Sequence, residues 1–249
     1  MNTNGSDAGP TRPYNRRAAI IRMVPVLAVT FILAHFLRSA PAVIAPNLRA
    51  ELGLTPGQLS SLPAAIFLGA ALMQLPVGVL LDKFGPRRTI SLLFVLAALG
   101  SITFSQAHSV PTLALGLFLI GCGAAPVFMG VMVLLARWIP RDRLATGTAI
   151  SISVGGAGML LSASPFAAAV ELYGWRESLL VVGLFSIAVA GVVSLMVRDR
   201  PEDAPAPPGG ETLLQTIFGL RQVLADKRIY SFAAVTGVSV GSLVTIRNL

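Results

Sequence analysis

The stretch "LAHFLRSAP", Leu33 to Pro41, carries an arginine just past the middle of an apolar run that opens at Met23. At ~1.5 Å of helical rise per residue, Arg38 lies roughly 22 Å into that run. A second arginine, Arg247, stands roughly 27 Å into the apolar run that opens at Ile229, by the same rise. A guanidinium at the centre of a bilayer costs about 2.5–3.5 kcal/mol on insertion scales, so it belongs beside a partner or a wet cavity. Its planar fork of donors matches the paired oxygens of a carboxylate or phosphate, which points to binding of an anionic solute. Snorkelling to the headgroups is the competing reading, easier for Arg247 than for Arg38. His35 and Gln74 are the further polar candidates for the same site.

Other chemistries find little to work with. Cys122 is the single cysteine and the two histidines, His35 and His108, are far apart in sequence, so neither a disulfide nor a metal set is expected. No nucleophile–base pair or phosphate-cradling loop stands out, so neither an enzyme nor a cofactor is expected. Glu171 lies at the end of a run, and no carboxylate lies deep in any of them. Proton coupling normally keeps one in the pathway.

The elements that must position Arg38 follow from composition. Of 249 residues, 54% are hydrophobic and 12% charged. Soluble domains carry about 25% charged residues, so too few polar side chains remain here to cover a water-facing surface. The solvent is a bilayer, and the chain reads as an all-α membrane protein. Apolar runs long enough to span it occupy Met23–Leu48, Gln58–Leu81, Thr89–Gln106, Pro111–Ala136, Leu144–Val170 and Ser178–Val197. Residues 1–22 read as a disordered tail and 23–197 as a six-helix bundle. Residues 198–228, opening "RDRPEDAPAPPGG", form a linker with an amphipathic piece from Glu211 to Leu224, and 229–249 a seventh helix. The first run is too long for a signal peptide.

Charge placement sets the orientation. The tail carries Arg12, Arg16, Arg17 and Arg22, and basic clusters follow the second, fourth and sixth runs, whereas the opposite loops hold only Arg49 and Arg176. This asymmetry puts the tail and the even-numbered loops in the cytoplasm. The net charge of +8 thus reflects topology, and no nucleic-acid partner is needed to account for it.

The segment "GVLLDKFGPRR", Gly78 to Arg88, interrupts the apolar pattern between the second and third runs. Lys83, Arg87 and Arg88 anchor a loop inside. Asp82 is not explained by topology, because acids contribute little to it. A carboxylate there can pair with nearby arginines or a helix N-terminus, while Gly78 permits close helix approach and Gly85 a tight turn. Gly147, Ser151, Gly155, Gly158 and Ser162 form a small-residue stripe on the fifth helix, a packing face.

Gly78, Leu80, Asp82, Lys83, Gly85 and Arg87 resemble the "G-x-L-a-D-r-x-G-r-k" loop between helices two and three of major facilitator superfamily transporters. Pro86 departs from that pattern, and Arg88 supplies charge in its place. "ARWIPRDRLATG" and "GWRESLLVVG" resemble the family's basic loop after helix four and its entrance to helix six. Leu117 replaces the helix-four arginine of drug antiporters, and "SVGGAGMLLSASP" lacks their helix-five pattern.

The resemblance implies a six-helix N-terminal bundle built as a 3+3 inverted repeat, followed by helix seven, with a C-terminal bundle as the missing partner. It implies secondary transport by rocking two bundles about a midplane site in the inner membrane, with lipid as the surrounding partner. Gly78, Asp82, Lys83, Gly85, Arg87 and Arg88 would then act as a gating latch. Arg38 and Arg247 fall on symmetry-related helices, an arrangement similar to organophosphate/phosphate antiporters and unlike nitrate carriers. The missing bundle could supply a coupling carboxylate. A non-transporting sensor or assembly protein built on half the fold is the alternative, as is an inactive truncated transporter. Alkaline phosphatase fused after His108 is expected to be active and fused after Ala204 silent; activity at Ala204 would invert the assigned orientation.

Overall fold

The computed structural model describes residues 16–201. Contacts divide the chain into units 1–205 and 206–249, and all described residues belong to the first. The expected tail through residue 15, the linker beyond 201, the seventh helix and Arg247 lie outside them.

A chain without water around it must satisfy its own backbone, and helices do so within each segment. The described residues form α1 (Arg16–Val43), α2 (Ala45–Leu52), α3 (Pro56–Ser105), α4 (Val110–Trp138), α5 (Leu144–Ala163), α6 (Pro165–Tyr173) and α7 (Trp175–Met196). A 3₁₀ turn at Arg141–Arg143 leads into α5, and no strand occurs among these residues. Among the described residues six stretches are long and apolar enough to cross a membrane, matching the six expected before the linker.

Boundaries differ from the sequence reading where proline and glycine decide them. α1 begins at Arg16 rather than Met23, because Ala18 to Ile21 continue the helical apolar pattern. The expected first and fifth helices each break, giving the short α2 and α6. Pro46 and Pro165 stand in the first turn of these new helices, where a missing N–H costs little. Pro41, Pro63, Pro76 and Pro126 lie inside helices, as expected of membrane kinks.

The expected loop after the second helix is confined to Gly85, whose φ of 79° and ψ of 163° divide α3 into limbs 56–84 and 86–105. Only glycine adopts such a backbone cheaply, and Pro86 then opens the second limb. The Thr89 hydroxyl donates across this turn to the Leu80 carbonyl at 3.0 Å, tying the two limbs together.

Glycines set how closely the helices pack. A Cβ at Gly121 would run into the Ile66 carbonyl of α3, and one at Gly123 into the Leu93 carbonyl and the Ala97 amide. Gly116 faces Gly100 in the same way, so α4 lies against both limbs of α3. On the other flank, Gly158 of α5 meets the Ile32 carbonyl of α1, while Phe31 and His35 lie over Gly155. The fifth-helix stripe is therefore a packing face from Gly155 to Ser162, with all three of Gly155, Gly158 and Ser162 buried against α1. Above it, Ser151 and Gly147 border a small apolar cavity of about 180 Å³ between α1, α4 and α5.

Gly158→Ala is expected to lower the melting temperature of the purified protein, because the new methyl displaces α1 at a cost of about 1–3 kcal/mol. Gly156→Ala meets no atom within 4 Å and should leave stability level or raise it. Equal melting points for the two variants would show that the α1–α5 contact is not this tight.

Candidate functional site

α1 presents His35 and Arg38 three residues apart, and that spacing places both on one face of the helix. Leu37 and Ala40 on the opposite side are fully buried, so packing fixes which face is offered. Arg38 is exposed and makes no hydrogen bond or ion pair with any described residue. An unpaired guanidinium in an apolar helix is available to an anion from outside the bundle.

His35 is held more firmly. Its Nδ1 lies 3.0 Å from the Phe31 carbonyl, an acceptor, so Nδ1 carries the proton. The ring rests on Phe31 at 4.8 Å between centroids, with Gly155 beneath it. Nε2 is then a lone pair in the neutral ring and a donor only in the imidazolium. His35 can therefore assist an anion only when charged.

Ser39, next to Arg38, meets Ser162 of α5 at 2.7 Å and also reaches the His35 carbonyl at 2.9 Å. This hydroxyl pair sets the rotation of α1 against α5, and with it the direction of Arg38. Gln74, in the first limb of α3, is exposed and forms no hydrogen bond to His35 or Arg38. The structure thus unites His35 and Arg38 on one face and leaves Gln74 unjoined to them.

At one end of the bundle the turn of α3 meets the residues after α7. The Asp199 carboxylate accepts from the Arg87 backbone N–H at 2.7 Å and presses against Gly85, where a Cβ would come within 2.7 Å of it. It caps the first turn of the second limb of α3, whose N–H groups have no partner within the helix. Arg87 Nε donates to the Ser194 carbonyl at 2.5 Å, Arg137 to the Asp199 carbonyl at 3.4 Å and Trp138 Nε1 to the Arg198 carbonyl at 3.1 Å. Asp82 is exposed; it attracts Arg137 electrostatically without forming a hydrogen bond or close ion pair among the described residues. Gly78 has no atom within 4 Å of a built Cβ, so it serves no close contact within these residues. Lys83 lies over the Phe84 ring at 5.3 Å, and Arg88 extends toward α7.

At the opposite end Glu51 closes a knot between three connections. Trp175 Nε1 donates to Oε2 at 2.6 Å, and Arg176 reaches Oε1 through Nε at 3.0 Å and Nη2 at 2.9 Å. Arg176 also donates to the Ser105 carbonyl at 2.8 Å and to His108 Nδ1 at 3.3 Å. Its guanidinium stacks 4.3 Å over Trp175, which meets Phe104 edge-on. The hydrogen bond from Trp175, followed by those from Arg176, holds the Glu51 carboxyl below the usual carboxylate range.

The chain is similar in sequence and in fold to known proteins. The model of the Major Facilitator Superfamily matches residues 27–247. The chain belongs to that superfamily. It is similar to the "Probable sulfoacetate transporter SauU" of Cupriavidus necator, 27% identical over 177 residues, which are 71% of this chain and 41% of the relative. It is also similar to the "Quinolone resistance transporter" of Acinetobacter baumannii, 26% identical, over 74% of this chain and 44% of the relative. The crystal structure of a bacterial homologue of the human lysosomal transporter Spinster, inward-facing and unoccupied, matches with a TM-score of 0.67. That match is 21% identical and covers 83% of this chain and 47% of the other. The chain spans less than half the length of these curated relatives.

Superfamily members are transporters rather than enzymes, in line with the absence of catalytic groupings in the sequence. Two parts of the site escaped sequence reasoning. Asp199 sits in a stretch that reads as linker, and only the fold brings it to Gly85. Glu51 and Arg176 lie 125 positions apart, and the one sequence signal is that Arg176 is one of only two basic residues in the loops of that side.

Glu51 binds its proton less readily folded than unfolded, so its contribution is complete above the ordinary carboxylate value of about 4.3 and fades as pH falls below it. The parent is expected to melt higher than Glu51→Gln at pH 7, with the gap closing toward pH 3. A gap unchanged across that range would show that the charge on Glu51 is immaterial.

Proposed function

We propose that this chain forms the first half of a secondary carrier for a small organic or inorganic anion, in which Arg38 is the anion-binding group. The observation that carries the reading is the Arg38 guanidinium, exposed within the apolar span of α1 and unpaired among the described residues. One relative is named for the transport of sulfoacetate, an anion, and this supports the same class. Arg247, on the expected seventh helix, is the second proposed anion-binding residue, with the imidazolium of His35 and the amide of Gln74 as secondary contacts.

Transport proceeds by alternating access. A bound anion neutralises the Arg38 guanidinium and so favours the state in which the loaded cavity is closed. The bundle moves as one body, its helices joined at one end by Glu51 and at the other by Asp199. Asp82, exposed at the Gly85 end, is free to pair with the second bundle and latches that end when the two meet. The Gly85 end and the N-terminus face the cytoplasm across an inner membrane, on the strength of the basic clusters.

In the complete carrier, Arg38→Lys is expected to insert normally and melt like the parent, yet to bind sulfoacetate or phosphate about tenfold more weakly, about 1.4 kcal/mol. A lysine keeps the charge but not the paired donors. Arg38→Ala should bind more weakly still. Parent-like affinity in Arg38→Lys would make the residue structural, and so would failure of both variants to insert. Uptake of a quinolone with no affinity for either anion would overturn the anion reading in favour of a drug carrier, the class the second relative represents.

A further inference from the structure

Beside the Gly85 turn, an open groove of about 580 Å³ runs between α3 and α7. Its walls are apolar, built from Leu80, Phe84, Leu92 and Ile187, and three of these, Phe84, Leu92 and Ile187, are exposed. Arg88 stands at its rim, exposed and without a hydrogen bond or ion pair among the described residues. Lys83, on Phe84, adds a second positive charge at the same end.

Ser91 lies one helical turn beyond Arg88 and also lines the groove. Its hydroxyl is the one buried side-chain oxygen or nitrogen without a partner among the described residues. Other helical serines here donate to the carbonyl one turn back, as Ser151, Ser178 and Ser186 do. An unpaired buried hydroxyl costs about 1–3 kcal/mol, so a ligand acceptor in the groove that Ser91 lines would relieve it.

We infer that this groove is a binding site for one anionic glycerophospholipid. Charge and polarity follow the order of such a molecule. The guanidinium of Arg88 takes the phosphate through paired donors, with Lys83 as a point charge beside it. The Ser91 hydroxyl, a turn deeper, donates to an acyl ester carbonyl. An acyl chain then lies along Leu92 and Ile187 toward the membrane centre. A soluble anion would engage Arg88 alone and leave the apolar walls bare. A zwitterionic lipid would bring a cationic headgroup up to Arg88 and Lys83. Basic sites between helices at one face of a membrane protein hold anionic headgroups for the same electrostatic reason.

The site adjoins Gly85 and Arg87, so its occupant would brace the turn that Asp199 caps. The inference does not depend on the anion-carrier reading: it uses neither Arg38 nor transport.

The test is native mass spectrometry of the full chain after delipidation, titrated with phosphatidylglycerol or with phosphatidylcholine of the same acyl chains. One phosphatidylglycerol is expected to be retained about tenfold more tightly than phosphatidylcholine. Arg88→Gln should abolish most of that preference. Arg141→Gln, which removes a charge from the 3₁₀ turn outside the groove, should preserve it. Leu92→Trp, which keeps every charge but fills the groove, should also release the lipid, and Ser91→Ala should weaken retention a few-fold. Equal retention of the two lipids would overturn the site. So would equal losses in Arg88→Gln and Arg141→Gln, which would mean diffuse attraction of annular lipid. Undiminished binding by Leu92→Trp, or displacement by glycerol 3-phosphate at matched concentration, would assign Arg88 to a soluble anion instead. If Arg88→Gln fails to fold, Leu92→Trp and Ser91→Ala still decide the matter.

Discussion

Lipid chains are as apolar as leucine, so burying leucine between membrane helices releases no water and holds nothing together by the usual hydrophobic drive. Dispersion contacts between closely approaching backbones must do that instead. In this bundle those approaches occur where glycines meet a neighbouring main chain: Gly121 at Ile66, Gly123 at Leu93 and Ala97, Gly116 at Gly100, Gly158 at Ile32. A single methyl at any of them would meet main-chain atoms of the neighbouring segment and force the two apart. The large buried side chains, Phe94, Phe104, Leu117 and Ile120 among them, fill the space that these contacts define. The rest of the structure depends on this spacing, including the side on which α1 offers Arg38.

Polar interactions act where the bilayer ends. Inside the apolar span, hydroxyls such as Ser151, Ser178 and Ser186 return their protons to their own helix and link nothing. Two hydroxyl contacts are exceptions: Ser39 and Ser162 join α1 to α5 beside the candidate site, and Ser101 of α3 donates to the Leu179 carbonyl of α7. At the two ends, ionic groups connect segments far apart in the chain. Glu51 gathers the close of α2, the α3–α4 connection and the start of α7, while Asp199 closes the turn of α3 against the residues after α7. A bundle tied at both ends and tightly packed between them is suited to rotate as a unit rather than deform.

Arg38 stands apart from this economy of charge. Glu51, Arg176, Arg87 and Asp199 each have named partners, and all lie near helix ends. Arg38 has none among the described residues and lies within an apolar span. A second charged bundle face or a bound anion would supply what the described residues do not. Leu37 and Ala40, both fully buried, occupy the packed side of α1, and Arg38 stands off it.

Periodic apolar runs and clustered charges are local properties, and they were enough to establish an all-helical membrane fold, its six spans and the family resemblance of Gly78 to Arg88. The same locality made the fifth-helix glycine stripe and the unusual positions of Arg38 and His35 legible. Helix breaks at Pro46 and Pro165 were less so, because a proline inside a membrane helix and one that starts a new helix look alike until neighbours choose between them. Partners of charged groups were not legible at all. Asp82 was the evident acid of its motif, yet Asp199 holds the turn, and Glu51 and Arg176 meet across 125 positions of sequence. Which charge meets which is decided by the helix spacing that the glycines permit, and that spacing is a property of the assembled bundle rather than of any segment alone.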